Sequence, residues 1–88
     1  VSGKMERRSS LELDIRGCAV DEGIHEVDAF IDNAVMVNAG IITIIHGKGT
    51  GLLRQGIQRH LKHHPSVKSF RNGLFGEGED GVTVVELK

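Results

Sequence analysis

The residues best suited to chemistry stand in one six-residue stretch, His46-Gly-Lys-Gly-Thr-Gly51. Three glycines let the backbone approach a ligand closely, and a titratable imidazole and a fixed cation stand among them. Before them runs Ile41-Ile-Thr-Ile-Ile45, a β-branched stretch too short for a helix and suited to a buried strand. After them comes Leu52-Leu-Arg54, the start of a helix that Thr50 or Gly51 can cap. Strand, glycine turn and helix N-terminus together make an anion site, because free N–H groups and the helix dipole both favour negative charge there. Phosphate is the ligand class these parts fit best.

Two known phosphate loops are excluded. A Walker A loop needs a glycine five positions before its Gly-Lys pair, and that position is Ile42. A dinucleotide fingerprint starting at Gly47 needs a third glycine where Leu52 stands. The plainer account is a strand-to-helix turn that binds nothing. Such a turn has no use for His46 or Lys48, and their presence tips the reading toward a ligand.

The elements that position this stretch are legible from periodicity. Leu11 to Gly17 alternates: Leu11, Leu13 and Ile15 point one way, Glu12, Asp14 and Arg16 the other, which predicts a strand with one dry and one charged face. Asp21 to Asn38 has a helical stripe of Ile24, Val27, Ile31 and Ala34/Val35, with Phe30 beside it. Asp21 and Glu22 suit the positive end of that helix, and Gly40 offers a C-terminal stop. Glu26, Asp28 and Asp32 read as a solvated face rather than a metal site. Gly23 within the helix costs about 1 kcal/mol against Ala. A second helix from about Leu52 to His63 buries Leu53, Ile57 and His60/Leu61 and turns Arg54, Gln58, Arg59 and Lys62 outward, until His64-Pro65 ends it. Val67 to Arg71 and Val82 to Leu87 then form a β-hairpin around a glycine-rich acidic loop, Asn72 to Gly81.

The order βαβαββ predicts a two-layer α/β (α+β) sandwich. A four-stranded mixed sheet carries both helices on one face, because β–α–β crossovers are right-handed. Leu13 and Ile15 must face the helices, with Glu12, Asp14 and Arg16 on the open face or its edge. If the first two strands are parallel, Asp14-Ile-Arg-Gly17 and His46 to Gly51 meet at one carboxyl edge, where open α/β sheets bind ligands.

Size and composition bound the rest. With 88 residues the chain is one domain. A domain this small buries only roughly 60–65% of its unfolded surface, so it has room for one modest core. A net charge of −1 excludes a binder dominated by overall charge, and any nucleic-acid surface must be a local basic patch. The single Cys18 excludes an internal disulfide and fits a reducing, cytoplasmic setting. No apolar run reaches membrane-spanning length, so no membrane partner is expected. The chain opens on Val1, which suggests a domain of a longer protein, and residues 1–10 read as a linker or appended tail.

The two motifs, Leu13-Asp-Ile-Arg-Gly17 and His46-Gly-Lys-Gly-Thr-Gly51, in this order and spacing, resemble those of the Smr (small MutS-related) domain. Pro65-Ser-Val-Lys-Ser-Phe-Arg71 and the Gly-Glu-Gly-Glu-Asp-Gly-Val-Thr-Val-Val-Glu-Leu stretch that ends at Leu87 resemble that family too. The likeness covers roughly residues 11–87. It is greatest to the form at the C-terminus of the bacterial MutS paralogue that lacks mismatch recognition. Cys18, where a larger apolar residue is common, and Gly23, where a helix former is usual, are the departures. The resemblance implies a fold like the C-terminal domain of translation initiation factor 3. It implies binding of DNA or RNA with little sequence preference, often with nicking endonuclease activity. It further implies attachment to a MutS-like ATPase that suppresses homologous recombination or rescues stalled ribosomes.

Three functional readings follow. In the first, a nuclease, the candidate catalytic residues are His46 as general acid or base, Arg16 for phosphoryl charge, and Asp14 to orient either one. Asp14 could instead hold a divalent cation with Glu12, the one cofactor considered. The amides of Gly47, Lys48, Gly49, Thr50 and Gly51, with Arg54, Arg59, Lys62 and Arg71, are the candidate nucleic-acid contacts. In the second, the same surface is a non-catalytic grip on DNA, RNA or the ribosome; under either reading the isolated domain is expected to be a monomer. No stacking aromatic is evident for it, since Phe30 and Phe70 are expected in the core and Phe75 in the hairpin loop. In the third, His60, His63 and His64 bind a metal, but no Cys or acid nearby completes a set.

Overall fold

The computed structural model of this protein describes residues 11–88. The linker reading of residues 1–10 lies outside them. The element order is β1 (Leu11–Asp14), α1 (Val20–Met36), β2 (Ile41–Ile45), α2 (Leu52–Lys62), β3 (Val67–Asn72), a 3₁₀ turn (Glu79–Gly81) and β4 (Val82–Leu87). The sheet order is β1-β2-β4-β3. β1 runs parallel to β2, with Asp14 beside Ile45, while β4 is antiparallel to both β2 and β3. The carboxyl ends of β1, β2 and β3 and the start of β4 therefore share one edge.

Both helices pack on one face. Ile15, Val27, Ile31, Ile42, Ile44, Ile57, Leu61 and Val85 form the centre of the core, each no more than 1% exposed. Phe30 and Phe70 pack against it, half-buried, as their spacing predicts. The open face carries Glu12 and Asp14 of β1, Thr43 and Ile45 of β2, Arg71 of β3, and Val84 and Glu86 of β4.

Gly23, costly as a helix residue, is explained by packing. A Cβ there would stand 3.1 Å from Leu53 Cδ1 and 3.3 Å from Ile15 Cδ1. Gly56 faces back the same way, since a Cβ on it would come within 2.4 Å of Val20 Cγ1. Each helix thus gives up a side chain where the other passes close.

Two local expectations change. β1 ends at Asp14 rather than Gly17, because the Asp14 carboxylate accepts the Arg16 backbone N–H at 3.0 Å and turns the chain. α1 ends at Met36, and Asn38, not Gly40, takes the left-handed stop at φ 59°. The Ala39 N–H then bonds the Ala34 carbonyl at 2.9 Å, closing the helix end; Asn tolerates that conformation better than most side chains. Gly40 serves the sheet instead, its carbonyl accepting the Leu87 N–H at 2.9 Å. At the other end of α1, Ala19 offers no side-chain cap, and the Glu22 carboxylate accepts its N–H at 3.0 Å.

Candidate nucleic-acid site

The loop after β2 takes its shape from three glycines in the left-handed region: Gly47 at φ 80°, Gly49 at φ 38° and Gly51 at φ 85°. L side chains rarely adopt these angles, so the tight path from strand to helix requires this spacing. Gly51 is the N-cap of α2, and Thr50 Oγ1 accepts the Leu52 N–H at 3.3 Å. Among the described residues, the Lys48, Gly49 and Thr50 amides donate to no protein acceptor. The Gly51 N–H donates to the Lys48 carbonyl at 3.1 Å, and among the described residues the Leu53 and Arg54 N–H groups of the first turn of α2 have no partner outside the helix. This loop, Gly17, Cys18 and Arg54 line a shallow cleft of ≈ 200 Å³. Free amides, a helix N-terminus and the Lys48 and Arg54 cations make it suited to an oxyanion such as phosphate.

Arg16 stands beside Gly47 of this cleft, with Asp14 paired to it. Arg16 Nη2 donates to Asp14 Oδ2 at 2.6 Å and Nε to Oδ1 at 3.0 Å, a two-pronged pair on the surface. These hydrogen bonds hold the Asp14 carboxyl down at about 2, from its ordinary 3.8, and raise Arg16. Among the described residues, the pairing leaves Nη1 and one Nη2 hydrogen without a partner and able to meet an anion. The Arg16 stem lies along the loop backbone, with Cγ 3.4 Å from where a Gly47 Cβ would be. The parallel register and a hydrogen bond from the Ile15 N–H to the Ile45 carbonyl, 2.9 Å, hold the two motifs side by side. Arg16 and the His46 loop therefore lie on the same side of the molecule.

His46 is arranged differently from a free acid or base. Its residue is only 5% exposed. Nδ1 lies 3.0 Å from the Gly47 carbonyl and Nε2 lies 2.8 Å from Thr83 Oγ1. A carbonyl only accepts, so Nδ1 carries the proton and Nε2 accepts from the Thr83 hydroxyl. The Gln58 side-chain amide donates to Thr83 Oγ1 at 3.0 Å and to Asn72 Oδ1 at 2.8 Å. A single donor direction thus runs Gln58 to Thr83 to His46 to Gly47. Burial pushes the imidazole below its usual pKa and Arg54 adds to this, while the Gly47 carbonyl pulls partly the other way. At neutral pH His46 is an uncharged anchor that ties the glycine loop to β4 and α2.

The sequence turns Gln58 outward, whereas its side chain is half-buried and reaches Thr83, a residue the sequence does not single out. The available signal was a hydroxyl on the inner face of β4, in register with Val85 and Leu87. Gly81 was missed too: its carbonyl accepts both the His46 N–H at 3.1 Å and the Gly47 N–H at 2.9 Å. That docks the acidic 3₁₀ turn against the loop, with Glu79 3.9 Å from Lys48 Nζ and Asp80 3.8 Å from Arg54 Nη1.

The other predicted contacts are spread out. Arg59 and Lys62 are exposed on α2, about 7 and 12 Å beyond Arg54 along the helix. Arg71 reaches the same sheet edge from β3, on the open face, and is paired with Glu77 at 2.8 Å. That hydrogen bond raises Arg71 and lowers Glu77.

Nor do the candidate metal ligands assemble. Both Asp14 oxygens are engaged by Arg16, so Asp14 and Glu12 do not fit a divalent cation as they stand. Asp28, read as a solvated acid, instead reaches across from α1, with Oδ1 2.7 Å from His60 Nε2 and 3.4 Å from His64 Nε2. His64 Nδ1 also accepts the Ser66 N–H at 3.1 Å. That cluster braces the helix pair. Among the described residues, no group of three or more His, Cys, Asp or Glu is arranged to hold a metal ion.

The Smr domain family model matches residues 13–88. The chain belongs to the Smr family. This Smr domain is 56% identical over 79 residues to "Endonuclease MutS2" of Ruminiclostridium cellulolyticum, covering 90% of this chain and 10% of the relative. It is 54% identical over 83 residues to "Endonuclease MutS2" of Caldicellulosiruptor bescii, covering 94% of this chain and 10% of the relative. The chain thus spans about a tenth of the length of the curated relatives it matches. Among solved structures, the Smr domain of Thermus thermophilus MutS2 superposes with a TM-score of 0.87 at 42% identity, covering 89% of this chain and 98% of that one. YdaL, a stand-alone small MutS-related protein from Escherichia coli, gives a TM-score of 0.82 at 25% identity, covering 94% of this chain and 66% of that one. Among the described residues, no helix of this Smr domain is long and apolar enough to cross a membrane.

Proposed function

We propose that this domain grips the sugar–phosphate backbone of DNA or RNA at the carboxyl edge of its sheet and nicks one strand there. It would act as one part of a longer MutS-like chain. The observation that carries the reading is the side-by-side placement of the Arg16–Asp14 pair and the amide-lined cleft. A phosphate in the cleft would accept from the Lys48, Gly49 and Thr50 amides, while Lys48 and Arg54 balance its charge. Arg16 would meet the charge that develops on the phosphoryl oxygens as water attacks phosphorus and the P–O bond breaks. Asp14 would hold the guanidinium in position. Arg59, Lys62 and Arg71 would touch flanking phosphates. The endonuclease name carried by the full-length relatives supports scission. Suppression of recombination and rescue of stalled ribosomes are the settings proposed for the whole protein.

One observation favours the second reading, a grip without scission: the His46 ring is buried with both nitrogens occupied. It can move a proton only by releasing Thr83 or Gly47. We therefore assign His46 first to positioning the loop.

The test incubates the purified domain with supercoiled plasmid and with structured RNA, with and without chelator. Wild type is compared with Arg16→Ala, Asp14→Ala and His46→Ala, each checked for folding by circular dichroism. Loss of nicking in folded Arg16→Ala is expected. Undiminished nicking by that variant removes the site from the chemistry, and binding without any scission by wild type leaves the grip.

A further inference from the structure

The connection between β3 and β4 carries a feature that the phosphate cleft does not use. Phe75 is 95% exposed and its neighbour Leu74 60%. The phenyl ring stands outside the core, yet its backbone is held on both sides. The Glu77 N–H donates to the Leu74 carbonyl at 2.8 Å, closing a β-turn with Phe75 and Gly76 at its centre, and Gly76 supplies the left-handed φ of 88°. The Leu74 N–H donates to the Glu77 carboxylate at 2.7 Å, and Arg71 holds that carboxylate from the side at 2.8 Å. At the base, the Gly73 N–H donates to the Glu79 and Val82 carbonyls at 3.0 and 3.2 Å. The far end of the same connection is pinned to the glycine loop through the Gly81 carbonyl. A fully exposed aromatic is thus presented on a fixed turn above the sheet edge that holds the phosphate cleft.

From these chain links Phe75 lies within roughly 20 Å of Gly47. At about 3.4 Å per stacked nucleotide, a strand with one phosphate in the cleft that runs toward the β3–β4 connection would reach Phe75 within some six nucleotides. Every base has a π face, so an exposed phenyl ring binds any sequence by stacking. Resting on the nucleic-acid reading of the cleft, we propose that Phe75 is a base-stacking contact for the single-stranded nucleic acid whose backbone the glycine loop grips. Affinity would then come from phosphates at one point and from a base at another.

The experiment uses a fluorescent 12-nucleotide strand and a matching strand of abasic sugar–phosphate units, titrated by anisotropy. Because Phe75 is exposed, Phe75→Ala leaves the fold intact. Wild type is expected to prefer the base-bearing strand, and Phe75→Ala to weaken that strand roughly 5- to 150-fold while leaving the abasic strand unchanged. The protein contains no Trp, so Phe75→Trp is its sole indole; it should retain affinity, and its fluorescence should quench with the base-bearing strand only. Equal binding of the base-bearing strand by wild type and Phe75→Ala, or no quenching in bound Phe75→Trp, overturns the inference while the cleft reading stands. Failure of wild type to bind either strand overturns both.

Discussion

Replacing Thr83 by Val tests whether His46 is an anchor. The two side chains are nearly the same shape, and Thr83 is fully buried, so the change removes one hydroxyl with little repacking. His46 Nε2 then faces a methyl group where it had a donor at 2.8 Å. A buried acceptor left without a partner costs about 1–3 kcal/mol. Gln58 loses one of two acceptors but keeps Asn72 at 2.8 Å, which limits its share. The added methyl returns up to about 0.8 kcal/mol through burial. The net expectation is a loss of about 1–2 kcal/mol. For a domain of this size each kcal/mol shifts the melting temperature by roughly 4–8 °C. Thermal unfolding followed by circular dichroism near pH 7.5 reads it, and ¹⁵N chemical shifts of the His46 ring read the tautomer, with the proton expected on Nδ1 in wild type. A melting temperature within about 2 °C of wild type, or a wild-type ring protonated on Nε2, refutes the anchoring chain.

Gly56→Ala should destabilise by up to about 2 kcal/mol, the overpacking against Val20 being partly offset by better helix propensity. A urea-unfolding cycle with Val20→Ala should show a coupling of at least about 0.5 kcal/mol, and additive effects would exclude the close crossing. Asp14 should titrate at about 2 by NMR and return toward 3.8 in Arg16→Ala. Its folded value is depressed, so the pair's contribution is complete above about pH 4 and fades as pH falls toward 2. His46 adds a second acid-side loss: its folded pKa lies below the unfolded 6.5, so stability should fall as pH drops from about 6.5, and His46→Asn should flatten that part of the profile. Glu79→Gln with Asp80→Asn frees Lys48 and Arg54 and should tighten nucleic-acid binding; unchanged affinity in an anisotropy titration would show that the acidic turn does not compete with phosphate.

Most of the fold was legible because periodicity and punctuation are local. Alternation in Leu11 to Ile15, the Ile run, two helical stripes, Pro65 and the C-terminal hairpin pattern placed the four strands and two α-helices to within a few residues, but not the 3₁₀ turn. The convergence of Asp14-Ile-Arg with the glycine loop was also legible, because parallel neighbouring strands must bring their carboxyl ends together. The αL stop at Asn38 and the turn at Asp14 were not, since each depends on one side-chain or backbone hydrogen bond competing with a neighbouring alternative.

The amino-acid order alone determined which residues could form an anion site and on which edge of the sheet it would lie. Only tertiary structure decided which partners and how much burial each side chain has there. The sequence offers His46 as a general acid or base, and β4 brings Thr83 beside its ring across 37 positions of chain. The sequence reads Asp28 as solvated, but α2 brings it His60 and the turn after α2 brings it His64. Gly23 and Gly56 were meaningful only once the helices passed close enough to exclude a Cβ. A side chain's protonation, exposure and partners are set by atoms distant in sequence, and only the folded arrangement supplies them.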